Sequence, residues 1–156
     1  MAASKELTDD VRLAHLMADD ADSLSMNRFK ARDLHFTAKP DNTPVSEADT
    51  AVEESIRRRL ARTRPRDAVH GEEFADTGQS SRRWIIDPID GTRNFASGSP
   101  DFAVMVAEVR SGVTTRGWIW QPMHHRMYVA ELGSGVRLNE GSPAKSAGCR
   151  IGGNNS

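Results

Sequence analysis

Cysteine is almost missing from this 156-residue chain. The single Cys149 cannot form an internal disulfide, which fits a reducing compartment. Long apolar runs are missing too: nothing approaches the length needed to cross a bilayer. The opening stretch from Ser4 to Asp10 is polar and lacks the apolar core of a secretory signal, so the cytoplasm is the expected location. Nor is there an excess of charge of one sign. A formal net charge of -1 gives no reason to expect nucleic acid or an anionic membrane as partner. No internal repeat is visible. What is present is an ordinary globular composition, 37% hydrophobic and 28% charged, at a length that fits one domain with a real core. Arginine far outnumbers lysine, and Arg57, Arg58, Arg59, Arg62, Arg64 and Arg66 crowd one region. They read as the solvated face and exit of a helix, with a basic patch as the alternative.

Thr8-Asp9-Asp10 has the capping hydroxyl and first-turn acids of a helix start. Leu7, Val11, Ala14, Ala18, Ala21 and Leu24 then recur at helical spacing, which predicts one long helix to about Phe29. Two prolines with Asp41 and Asn42 mark Thr37 to Pro44 as a loop or turn. Ser46 followed by Asp49 resembles a capping box, and a second helix follows with the stripe Ala48, Val52, Ile56 and Leu60, ending before Pro65. The period then changes. Trp84-Ile85-Ile86 predicts a buried strand running into a turn-rich DPIDGT. Phe102 to Val109, Gly117 to Trp120 and Met127 to Ala130 read as further strands, with a hairpin at Ser111-Gly112. Two helices followed by a run of strands predict an α+β fold, helices layered on an antiparallel sheet. The last ten residues show no periodicity, so the domain is expected to occupy 1–146 and 147–156 to be a divergent, disordered tail.

Asp87 closes a strand, Pro88 stiffens the turn, and Asp90 three residues on can point into the same space. Two hard carboxylates converging at a strand end suit Mg²⁺, which takes oxygen ligands octahedrally. Gly91 permits close backbone approach and Thr92 offers a hydroxyl; if a helix opens there, its free N–H groups and dipole make an anion site beside the metal. An Asp-rich turn with Asp90 capping the next helix explains the same letters. Gly71-Glu72-Glu73 is open in the same way: two solvated acids on a surface strand, or a further carboxylate that completes a two-metal cluster. The attacking water then needs a proton acceptor, a task for a Glu–Thr pair such as Glu72 and Thr92. Lys39, Asp41, Thr43 and Asp49 fit a proline-rich loop and capped helix, and equally an outer carboxylate aimed at the metal site. His124-His125 and Cys149 have no partner motif, and Trp84, Trp118 and Trp120 read as core.

Together, Trp84 through Phe95 (W-x-I-D-P-I-D-G-T-x-N-F), Gly71 to Glu73 (G-E-E) and Lys39 to Asp49 (K-x-D-x-T-P-V-S-x-A-D) resemble the inositol monophosphatase superfamily, in order and spacing alike. The likeness runs from about residue 9 to about residue 146. It implies a Mg²⁺-dependent phosphomonoesterase that hydrolyses a small phosphorylated alcohol, histidinol phosphate or an inositol monophosphate, by metal-activated water without a covalent intermediate. Carried over by position, Glu72, Asp87, Asp90 and the Ile89 carbonyl are metal ligands. Asp49 holds metal-bound water, Gly91 and Thr92 bind phosphate through backbone N–H groups, and Thr92 with Glu72 helps activate the nucleophile. The resemblance also implies a homodimer. The helical region and Lys39 to Phe74 look most like bacterial histidinol-phosphate phosphatases. Family members are about twice this size, a length still compatible with one domain. Nothing here matches their later W-D-x-A-A/G motif, so the chain reads as the N-terminal half, truncated, and as a poor catalyst alone. A non-catalytic fragment that binds metal or phosphate is the competing reading. An aspartyl-phosphate phosphatase requires D-x-D where this chain has D-x-x-D, and an EF-hand requires ligands at alternate positions.

Overall fold

The computed structural model describes residues 2–29, 36–38, 44–140 and 149–151. Helix α1 spans Ala2–Arg28, so it starts ahead of the expected Thr8 cap. The residues before Thr8 include Ala2, Ala3, Lys5 and Glu6, all strong helix formers, and the cap signal lies inside the helix. A two-strand ribbon follows, β1 (Phe36–Ala38) antiparallel to β2 (Pro44–Ser46), where the proline-rich stretch had predicted only a turn. Residues 39–43, with Lys39, Asp41 and Thr43, lie outside the described residues. Helix α2 spans Glu47–Thr63 and buries the expected stripe completely: Ala48, Val52, Ile56 and Leu60. Small residues Ala14, Ala18 and Ala21 on α1 let the two helices approach closely. Arg59 of α2 forks onto Asp20 of α1 at 2.6 and 3.1 Å.

The sheet holds seven strands in chain order: β3 (Ala68–Gly71), β4 (Arg82–Asp90), β5 (Ala103–Arg110), β6 (Val113–Gln121), β7 (Arg126–Glu131), β8 (Gly135–Glu140) and β9 (Cys149–Ile151). From β4 to β9 it is an antiparallel meander. The departure from a wholly antiparallel sheet is β3, which runs parallel to β4. Neighbouring parallel strands require the chain to double back, and the loop 72–81 does so while bridging Thr77 to Val69. The β5–β6 hairpin turns at Ser111 and Gly112, both left-handed with φ of 49° and 79°, as a two-residue turn matched to strand twist requires. Within the expected tail, Cys149–Ile151 pairs with β8, and 152–156 lies outside the described residues.

One face of the sheet is covered by the helices. Strand alternation sends Trp84, Ile86, Val104, Val106, Trp118 and Trp120 into this core, where the Trp84 and Trp118 rings stack at 5.7 Å. The opposite face carries Ile85, Met105, Ile119, Tyr128 and Val136 around an open apolar hollow of about 410 Å³. A smaller cluster of Ala48, Ile89, Phe95 and Phe102, with Phe29 packed against it, sits where α2 begins and β4 ends. No helix among the described residues is long and apolar enough to cross a membrane.

Candidate active site

In a regular strand, residues three apart face opposite sides, so Asp87 and Asp90 should diverge. The pairing of β4 with β5 removes that obstacle. Asp87 lies opposite Met105 and Asp90 opposite Ala103, with the register shifting between them. Three steps on β4 thus match two on β5, a one-residue bulge that resets the alternation and returns both aspartates to the same face. Pro88 and Ile89 occupy the bulge and are buried; Ile89 is seated in the small cluster beneath. That anchoring gives the bent strand a defined shape and leaves Asp87 partly buried and Asp90 exposed.

Gly91 follows at φ 86°, a left-handed conformation where a side chain is strained. A Cβ there would also stand 3.0 Å from the Asp101 carbonyl. Gly91, and not Asp90, occupies the N-cap of α3 (Thr92–Ser97), and no side chain caps that end. At six residues α3 has little macrodipole, so attraction for an anion falls to the individual N–H groups ahead of its first internal bond, Phe95 N–H to Gly91 O at 2.9 Å.

The third component comes from α2. Asp49 is in the first turn of that helix and is 2% exposed. Its Oδ1 receives the Thr92 hydroxyl at 2.9 Å, across 43 residues of sequence, and the Ile89 carbonyl lies 3.2 Å from the same hydroxyl. Two roles were expected here: Asp49 holding metal-bound water, and Thr92 acting with Glu72 on the nucleophile; the structure joins Thr92 to Asp49 directly. Glu72 arrives from β3. Gly71 pairs with Ile86 in parallel register, so Glu72 and Asp87 are the next residues of two adjacent strands.

Glu72, Asp87, Asp90 and the Ile89 carbonyl offer oxygen only, the donor chemistry of a hard divalent cation such as Mg²⁺. Among the described residues, no three Asp, Glu, His or Cys side chains are gathered tightly enough to grip an ion. Closing a ligand shell therefore takes side-chain rotation, which the exposure of Glu72 and Asp90 permits. His124 is exposed, 3.2 Å from Asp101.

Sequence reasoning missed Glu53. This carboxylate is fully buried on α2 and receives the backbone N–H groups of Glu73 at 2.8 Å and Phe74 at 3.0 Å. A readable signal existed: Asp49, Glu53 and Arg57 recur every four residues, a polar row beside the apolar stripe.

The sequence profile of the inositol monophosphatase family matches residues 6–154. A histidinol-phosphatase of Streptomyces coelicolor is 61% identical over 99 residues, covering 64% of this chain and 37% of its own length. One of Mycobacterium tuberculosis is 47% identical over 129 residues, covering 82% and 50%. Among solved structures, extragenic suppressor protein suhB of Bartonella henselae superimposes with a TM-score of 0.78 at 32% identity, over 81% of this chain and 50% of that one. The chain spans about half the length of the relatives it matches.

Proposed function

Because the chain belongs to the inositol monophosphatase family, we propose that it carries the metal-binding half of a Mg²⁺-dependent phosphomonoesterase acting on a small phosphorylated alcohol. The observation that carries this reading is the buried Asp49 carboxylate holding the Thr92 hydroxyl beside the bulge that aligns Asp87 with Asp90. Glu72, Asp87, Asp90 and the Ile89 carbonyl would hold the cation. Bound there, Mg²⁺ supplies neutralisation of phosphoryl oxygens and a lowered pKa for water. Backbone N–H groups at Gly91 and Thr92 bind the phosphate. The Thr92 oxygen takes a proton from the attacking water as its own proton passes to Asp49, whose Oδ1 already accepts it. The water oxygen bonds to phosphorus while the bond to the alcohol oxygen breaks; the leaving oxygen takes a proton from a second solvent water, and the resulting hydroxide takes back the proton held by Asp49.

Histidinol phosphate is the favoured substrate, since three histidinol-phosphatases are 61%, 47% and 43% identical to the chain. Two inositol-1-monophosphatases stand at 36%, which makes an inositol monophosphate the next choice. The assay is Mg²⁺-dependent phosphate release from both esters by this chain joined to the remaining length of its relatives. Asp90→Asn should nearly abolish that release without unfolding the protein. Most of the activity surviving at saturating Mg²⁺, or a preference for phosphodiesters or nucleoside triphosphates, would sink the reading.

A further inference from the structure

Glu53 contributes none of the donors or proton acceptors described above, yet it is the acidic side chain most completely enclosed near them. Both its oxygens face main chain. Oε1 receives the Glu73 N–H at 2.8 Å, and Oε2 receives the Phe74 N–H at 3.0 Å together with the Nε–H of Arg57 at 2.9 Å. Arg57 itself is only 13% exposed and donates through Nη2 to the Phe74 carbonyl at 3.2 Å. Two side chains one turn apart on α2 therefore clamp both the N–H and the C=O of Phe74. The carboxylate reaches this depth because Gly71 has no side chain: a Cβ there would overlap the Glu53 carboxyl group.

The clamped residues directly follow Glu72. Glu72 itself lies on the exposed side of a turn that has no regular secondary structure. Strand pairing of β3 ends at Gly71, so the sheet alone does not fix the direction in which Glu72 leaves it. A charged acceptor bonded to the next two N–H groups does fix it, and charge-assisted bonds of this kind are the strong ones. We infer that Glu53 is a positioning residue that sets the backbone of Glu72–Phe74, so that the Glu72 carboxylate meets Asp87 and Asp90 at the metal. One helix then orders both sides of the site: Asp49 fixes Thr92, and Glu53, one turn on, fixes Glu72. The inference rests on the reading of Glu72 as a metal ligand.

The test is run on the 156-residue chain with Mn²⁺ as a paramagnetic probe displaced by Mg²⁺, and with amide exchange read residue by residue in the absence of metal. Glu53→Gln keeps the shape but turns an N–H₂ toward one backbone N–H. It should speed exchange at Glu73 and Phe74 and weaken Mg²⁺ by about 10-fold to 100-fold, the usual effect of losing a group that orients a ligand. Glu108→Gln, at another buried carboxylate remote from the site, should change neither. If Glu53→Gln does not fold, Gly71→Ala presses on the same carboxylate while leaving its charge and Arg57 in place, and it should shift both readouts the same way. Unchanged exchange at Glu73 and Phe74, or faster exchange with unchanged Mg²⁺ affinity, overturns the inference. Glu72→Gln separates the two levels: if it weakens Mg²⁺ while Glu53→Gln does not, only the positioning role fails. If Glu72→Gln leaves Mg²⁺ binding intact, the ligand assignment fails, and the positioning role with it.

Discussion

Glu53 and Glu108 are both fully buried carboxylates, and each is met by arginine. Glu108 sits in the meander, where β5, β6 and β7 put it opposite Arg116 and Arg116 opposite Glu131. Arg110 and Arg116 reach its two oxygens at 2.7 and 3.0 Å. Side chains satisfy side chains there, on strands whose backbone is already held by the ladder. Glu53 sits where the ladder stops, and backbone N–H groups of an irregular turn depend on it. Burial and charge alone do not separate these two residues. The other atoms bonded to the carboxylate do: met by a second guanidinium, as at Glu108, it stabilises a sheet, while bonded also to main-chain N–H groups, as at Glu53, it determines where the neighbouring residue points.

Among the hydrogen-bonded carboxylates compared, the largest effect expected on the site side comes from removing the partner of Asp49, Thr92. Thr92→Val keeps volume and removes the hydroxyl that Asp49 holds at 2.9 Å. Loss of a proton-transfer group should lower phosphate release by roughly 10²–10⁴-fold in the extended enzyme. The melting temperature should fall modestly, because buried Asp49 loses one donor. A parallel collapse of folding would show that the Asp49–Thr92 bond serves the scaffold, as the Glu108 bonds do.

On the meander side the balance reverses. Glu108→Gln removes the nearer of the carboxylates that meet Arg116, which is 8% exposed, and leaves Glu131 at 3.9 Å. Breaking a buried pair in this way costs roughly 3 kcal/mol of stability, read as a fall in the denaturant midpoint. The Mg²⁺ concentration needed for half-maximal activity should stay where it was. A weakened Mg²⁺ response would erase the distinction between the two glutamates.

The same division governs how much was legible in the sequence. Periodicity exposed the elements that repeat: the α2 stripe from Ala48 to Leu60, the strands around Val104 and Trp118, and the Ser111-Gly112 hairpin. The motif residues of the site were legible as types and spacings, because Asp87, Asp90, Gly91 and Thr92 form a continuous run. Strand alternation by itself contradicts the convergence of Asp87 and Asp90, and only the register against β5 reveals the bulge that permits it. The parallel placement of β3 was hidden because Ala68–Gly71 is too short to display a period, and its partner is chosen by tertiary packing. The Asp49–Thr92 and Glu53–Phe74 contacts span 43 and 21 residues, so no local pattern announces them. The early start of α1 was obscured by Thr8, a residue type that caps helices but is also tolerated within them.

The smallest effect concerns a third acid that falls between the two glutamates. Asp22 on α1 is half-buried, and its carboxylate receives the Trp120 indole N–H at 3.3 Å. Burial pushes its pKa up, and the indole bond and the nearby His125 only partly offset that rise. A carboxyl whose folded pKa is raised favours the folded state most when protonated. Its contribution is fully present below the unfolded pKa and is lost as pH rises through the folded value. At neutral pH the ionised Asp22 therefore works against folding. Asp22→Asn keeps an acceptor for Trp120 and removes the charge, so it should stabilise the protein at pH 7 by a few tenths of a kcal/mol, a small gain because solvent reaches the group. The gap between mutant and parent melting temperatures should close as the pH falls through the carboxylate range. Glu53 and Glu108, enclosed by cations and N–H donors, should give the opposite sign when neutralised at pH 7. If Asp22→Asn instead destabilises the protein at neutral pH, the indole bond outweighs desolvation, and Asp22 belongs with the glutamates whose charge the fold requires.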